Sequence, residues 1–251
     1  MLRWLNVIAF AGTVAVNALA NVLPIAGVKT EDISQKYQHL FSPADYAFAI
    51  WGVIYALLAG FVWYQAMKKH QGIAQRCGPW FIVNCIANAL WMILWHYEWL
   101  GLSVACMAVI VLSLVMLNIR LEKVKNTWQE KVFIQAGLGL YLGWVCVAMA
   151  ANAASFLVQT GFSGFGITPE IWTIAVAVML SLLSAAVLDR FENPFFGAAV
   201  LWGLAGVMAQ HLIGYHMRYG WALAACALAM IILLIKMWQL FGAGKMAHVQ
   251  E

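Results

Sequence analysis

Apolar residues run along this chain in long stretches separated by short polar breaks. A helix rises about 1.5 Å per residue, so about 20 apolar residues cross the hydrocarbon core of a bilayer. Eight stretches reach that length: residues 4–24, 46–66, 79–99, 100–119, 132–158, 170–188, 196–214 and 220–241. The prolines support these cuts. Pro24 closes the first stretch, and Pro43, Pro79, Pro169 and Pro194 stand before or at the starts of later ones. A first helical turn tolerates proline because its missing N–H has no intrahelical partner to lose. The third and fourth stretches meet at Leu100-Gly101, which predicts an antiparallel hairpin. The pattern predicts an all-α integral membrane protein with eight spans.

The polar residues inside these stretches fall on stripes. In the third span Asn84, Asn88, Trp91 and Trp95 lie at i, i+4, i+7 and i+11, one face of a helix. In the fifth, Tyr141, Trp144, Ala148 and Asn152 lie at i, i+3, i+7 and i+11. Phe48, Trp51 and Tyr55 align at the second span, and Asn6, Thr13 and Asn17 in the first, with Asn21 one turn further. Polar groups inside a bilayer cost energy unless they find partners or face a cavity. Two readings follow. Asn side chains glue transmembrane helices together. Alternatively, aromatic rings beside a few Asn groups make an apolar pocket with orienting polar atoms, the usual design of a small-molecule site. Trp4, Trp63, Trp80, Trp99, Trp221 and Trp238 lie near span ends and read as an interfacial belt. Trp51, Trp91 and Trp144 do not fit that belt.

Composition agrees with the membrane reading. Only 10% of the 251 residues are charged, against about 25% in average soluble proteins, and mean hydropathy is +0.83. The net charge of +4 is too small to point to nucleic acid. Its distribution is informative. With eight spans and both termini on one side, that side holds Arg3, Lys68, Lys69, Arg76, Arg120, Lys123, Lys125, Lys131, Arg190, Lys236 and Lys245. The other holds Lys29, Lys36 and Arg218. Eleven basic residues against three predict cytoplasmic termini. The start, Met1-Leu2-Arg3 followed by an apolar run and Ala18-Leu19-Ala20, also has the form of a secretory signal. The length of the run and its Asn6, Asn17 and Asn21 favour a retained first helix.

Candidate catalytic chemistry is sparse. The five cysteines show no C-x-x-C spacing and read as small buried hydrophobes. His211 and His216 do not share a helical face, and His96 beside Glu98 reads as an interfacial polar pair. No Ser/His/Asp grouping, metal set or phosphate loop is present, and no acidic residue lies in the interior of a span, Glu98 and Asp189 being near helical ends, against an ion-coupled transporter. Gly139 and Gly143, and the stripe Gly203, Gly206, Gln210 and Gly214, predict close helix contacts. The loop of residues 25–45 is long, carries Glu31, Asp32 and Asp45, and reads as a lid.

The segment from Phe41 through Pro43 and Phe48 to Trp51 and Tyr55 resembles the signature of the TspO/translocator-protein family, the tryptophan-rich sensory proteins related to the peripheral benzodiazepine receptor. The family pattern is Trp-x-Pro-Pro, an aromatic, then Val-Trp-x-x-x-Tyr. Asn88-x-x-Trp91 is similar to its Asn-x-x-Trp. Tyr141-Leu-Gly-Trp144, with Ala148 and Asn152 following, is similar to its Tyr-Leu-Ala-Trp, Ala and Asn. Here Phe41 replaces the Trp and one Pro is missing. The motifs cover about residues 1–160, and residues 161–251 add a three-helix membrane extension that resembles longer bacterial members.

The resemblance implies a five-helix bundle whose cavity binds porphyrins or haem-like molecules, sterol-like lipids and synthetic aromatic compounds. It carries Pro43, Phe48, Trp51, Asn88, Trp91, Trp144, Ala148 and Asn152 into that cavity, and the stripes add Tyr55, Trp95 and Tyr141. It further implies a homodimer in a bacterial cytoplasmic membrane. The expected partners are the bilayer and a hydrophobic small molecule, and no cofactor is required. The expected function is a membrane sensory or binding protein. The alternatives are an exporter of a small lipophilic solute and a weak tetrapyrrole-modifying enzyme resting on indole chemistry.

Overall fold

The structure, a computed structural model, describes residues 1–22, 25–124 and 127–247. Pro24, Lys125 and the side chains of Asn21 and Lys245 lie outside the described residues. Every regular element among those described is helical. They are α1 (Leu2–Val22), α2 (Thr30–Lys36), α3 (Ile50–Ala66), α4 (Gln71–Cys77), α5 (Trp80–His96), α6 (Leu100–Leu121), α7 (Trp128–Gln159), α8 (Pro169–Phe191), α9 (Pro194–Gly214) and α10 (Gly220–Ala247). Seven of these are long and apolar enough to span a bilayer. The eighth expected span, α5, meets that test only together with Lys68–Cys77, from which it bends by 69°. The chain is an all-helical multi-pass membrane protein.

Sequence explains the helix ends. Pro169 and Pro194 open α8 and α9, with Thr168 and Asn193 capping the first turn. The α5–α6 turn lies at Tyr97–Trp99, just before the expected Leu100-Gly101, with Glu98 at φ 58° making the reversal. The short helices α2 and α4, and π-helical turns at Lys131–Ala136 within α7 and Gln210–Gly214 within α9, were not expected.

Contacts at the helix ends fall into two groups, as an up-and-down arrangement of helices requires. At one end Arg3 donates to Ala66 O, and Arg190 pairs with Glu122. At the other, Lys36 pairs with Glu98 and Glu170 accepts from the Trp221 and Ala222 amides. Large apolar side chains face outward, among them Ile8, Leu112, Leu182 and Trp238. Such a surface suits acyl chains. Trp4, Trp63, Trp99, Trp221 and Trp238 are exposed near helix ends, and Trp80 is half-buried.

The glycine faces serve contacts within the chain. A Cβ on Gly143 would collide with Phe196 O of α9, and one on Gly206 would come within 2.8 Å of the Ala47 side chain. These close approaches dock α9 on α7 and on the segment leading into α3. There the Ala44 amide donates to Gly206 O, Trp202 Nε1 donates to Ala47 O and His211 Nε2 donates to Leu40 O. The C-terminal helices thereby hold the stretch that presents Pro43, Phe48 and Trp51.

Candidate functional site

The polar stripe of α1 is used for packing. Asn6 donates to Gln65 and Thr13 to Cys85 O, while Asn17 reaches Asn88 on α5. Asn84 likewise donates to Ser113 of α6. These residues are buried and joined across helices, the gluing role expected of amides in a bilayer.

Asn88 is the centre of a larger knot. Its Nδ2 donates to Tyr141 Oη at 2.7 Å, and its Oδ1 accepts from Asn17 Nδ2 at 3.0 Å and Tyr55 Oη at 3.2 Å. Four helices, α1, α3, α5 and α7, are tied by one fully buried side chain. Both ends of the amide are occupied by protein.

One turn further along α5 the character changes. Trp51 stacks on Tyr55 and on Trp91, with centroids 5.5 and 5.9 Å apart, and meets Tyr141 and Trp144 edge-on at 5.7 and 6.4 Å. Phe48 meets Trp144 edge-on, and Trp91 stacks on Trp95. These rings wall a cavity of about 30 Å3, whose lining includes Pro43, Phe48, Trp51, Trp91, Trp95, Trp144, Ala148 and Asn152. Tyr55 lines an adjoining cavity instead. Asn88 and Tyr141 stand behind the aromatic wall, in the knot. All eleven expected residues therefore belong to one cluster, eight of them on the chamber itself.

Three polar groups at the chamber are incompletely paired. The indole N–H groups of Trp91 and Trp144 are buried without an acceptor. Asn152 Oδ1 accepts from Ser103 at 3.0 Å, and its Nδ2 has no partner. The single Ser103 proton also lies within reach of Leu100 O, 2.8 Å away. The Asn152 amide can therefore turn and offer the chamber either its N–H or its carbonyl. Buried donors without partners are rare, and each costs about 1–3 kcal/mol.

The loop of residues 25–45 closes the outer end. Thr30 and Ser34 of α2 line the chamber. Thr30 O accepts from Trp95 Nε1, and Ile33 is buried beneath the helix. Polar ties fasten the loop. Lys36 and Tyr37 both hold Glu98, whose carboxyl they keep below its ordinary range, Lys36 foremost. Glu98 is thus bound to the loop and not to His96. The latter is buried, with Nδ1 at Met92 O. His39 Nε2 donates to Ala151 O at 2.9 Å, and its Nδ1 accepts from the Phe41 amide. Burial pushes the His39 imidazole down to about 4.

Sequence reasoning missed Thr30, Ser34, Val147, Ala151 and Ser155 in the lining. For two of them a signal existed: Ala151 and Ser155 continue the α7 stripe at i+3 and i+7 from Ala148. Among the described residues no three His, Cys, Asp or Glu side chains come together as a metal set.

No curated protein and no solved structure matches the chain. A family model described as TSPO-like protein matches residues 3–238, continuing well beyond the motifs near residue 160. With that match running through nearly every helix, the chain belongs to the TSPO-like protein family.

Proposed function

We propose that this protein binds a flat, largely apolar aromatic molecule, a tetrapyrrole or a sterol-like lipid, within the bilayer. The observation that carries the reading is that Trp91, Trp144 and Asn152, each with a buried N–H that has no acceptor, all line one aromatic-walled chamber. Rings of Trp51, Trp91 and Trp144 offer stacking faces, and the unpaired donors orient acceptor atoms of the ligand. Asn88 serves the site from behind by fixing Tyr55 and Tyr141. The chamber has room for about one water molecule. A ring system enters only when α2 lifts, and residues 25–45 act as its lid. The basic-residue asymmetry supports cytoplasmic termini, with the lid on the opposite face.

The test is quenching of tryptophan emission by the uncharged probe protoporphyrin dimethyl ester. The Trp51→Ala/Trp144→Ala double variant is expected to bind at least about tenfold more weakly; unchanged affinity overturns the reading. A second reading, passage of the ligand across the membrane, is favoured by two larger cavities that share walls with the chamber. Saturable flux of the probe through proteoliposomes would support it, and binding without flux would reject it.

A further inference from the structure

Beside the aromatic chamber, and sharing Thr30, Phe48 and Trp51 with it, lies a cavity of about 280 Å3 between α1, α2, α3 and α5. Its lining combines the rings of Phe48, Trp51 and Tyr55, the thioether of Met92 and the side chain of Glu31. Glu31 Oε2 is shielded from solvent and has no hydrogen-bond partner. No Lys, Arg or His lines the cavity among the described residues. Lys36, further along α2, is held by Glu98 at 2.6 Å.

A shielded carboxylate oxygen without a partner is costly, and a cation offsets that cost. Aromatic faces attract cations through their quadrupole, most strongly where water is excluded. Trp51 and Tyr55, stacked 20° from parallel, both line this cavity. We propose that the cavity is a subsite for an organic ammonium group, held between the Glu31 carboxylate and the Trp51 and Tyr55 rings. The inference extends the aromatic-chamber reading by naming the charge of the ligand. The preferred ligand carries a basic amine, and one with carboxylates, such as a free-acid tetrapyrrole, meets repulsion from Glu31.

The experiment is calorimetric titration of the full chain in nanodiscs of zwitterionic phosphatidylcholine, with three probes sharing one ring system. They are naphthylmethyl trimethylammonium, its uncharged carbon isostere neopentylnaphthalene, and naphthylacetate. The ammonium is expected to bind at least about tenfold more tightly than the isostere, and the carboxylate more weakly than both. Glu31→Gln removes the ammonium advantage and leaves the isostere unchanged, whereas Glu31→Asp keeps part of it. If Glu31→Gln disturbs folding and weakens the isostere too, the ranking in the unaltered chain decides alone. Equal affinity for ammonium and isostere, or tightest binding of the carboxylate, overturns the subsite and leaves the aromatic chamber standing. Absence of binding by all three probes overturns both.

Discussion

The two ends of the aromatic cluster are built from the same residue types and behave differently. At the inner end, Asn88 spends both ends of its amide on Tyr55, Tyr141 and Asn17. At the outer end, Asn152 spends one end on Ser103, and two neighbouring indole N–H groups have no partner. In a bilayer a satisfied buried amide holds helices together, while an unsatisfied donor beside a cavity is matched by what enters it. An Asn/Trp stripe therefore contains a structural half and a half suited to binding, and only the partner geometry separates them.

That contrast can be broken by substitution. The largest effect is expected from Asn88→Ala, which leaves Tyr55 and Tyr141 hydroxyls without their Asn88 partner. Thermal unfolding in mild detergent should show a loss of about 2–3 kcal/mol. A loss below about 0.5 kcal/mol would remove Asn88 from its structural role.

Next comes acid sensitivity at the lid. His39 is held neutral in the folded chain, titrating at about 4 against an ordinary 6.5. Between these values the unfolded chain binds the proton and the folded one does not. Stability from this group is therefore fully present above about 6.5 and falls as the pH drops towards 4. The loss should be on the order of 2–3 kcal/mol, and a His39→Gln variant should have a flatter melting-temperature profile across that window. An identical profile would show that His39 does not fasten the loop.

The outer end should respond more in affinity than in stability. Trp144→Phe removes one unpaired donor while keeping a ring. It is expected to weaken binding of protoporphyrin dimethyl ester about tenfold, or about 1.4 kcal/mol. Its melting temperature should fall less than that of Asn88→Ala, because ring packing but no protein hydrogen bond is lost. An equal fall in melting temperature at unchanged affinity would make both ends of the cluster alike. The smallest effect is expected from Lys36→Met, since the Lys36–Glu98 pair is exposed. Amide exchange of α2 should quicken while the rest of the chain is unaltered; unchanged exchange would show that this pair does not tie the lid.

Much of this arrangement was legible in the sequence. The stretches of residues 46–66, 100–119 and 220–241 match α3, α6 and α10 because membrane length and hydropathy leave few alternatives. The stripes on α5 and α7 brought Trp91, Trp144 and Asn152 to one place because helical periodicity fixes which residues share a face. Helix α2 was not legible. Seven residues are too few to form a helix alone, and this one is secured by burial of Ile33 and by the Trp95 bond to Thr30. The distinct roles of Asn88 and Asn152 were hidden for a related reason, since both depend on atoms from other helices. So was the support from Trp202, Gly206 and His211, which come from a region without the family motifs yet hold the segment before α3. Glu31 looked like one more loop acid until its unpartnered oxygen was located at a cavity.

The most direct test of the binding half is the position of a brominated planar aromatic probe, read from bromine anomalous scattering in crystals of the full chain. The account predicts a peak within the ring of Trp51, Trp91 and Trp144 beside Asn152, with α2 displaced outward. A peak confined to an outer surface, such as the groove between Trp4 and Trp63, or no peak at all, would contradict it.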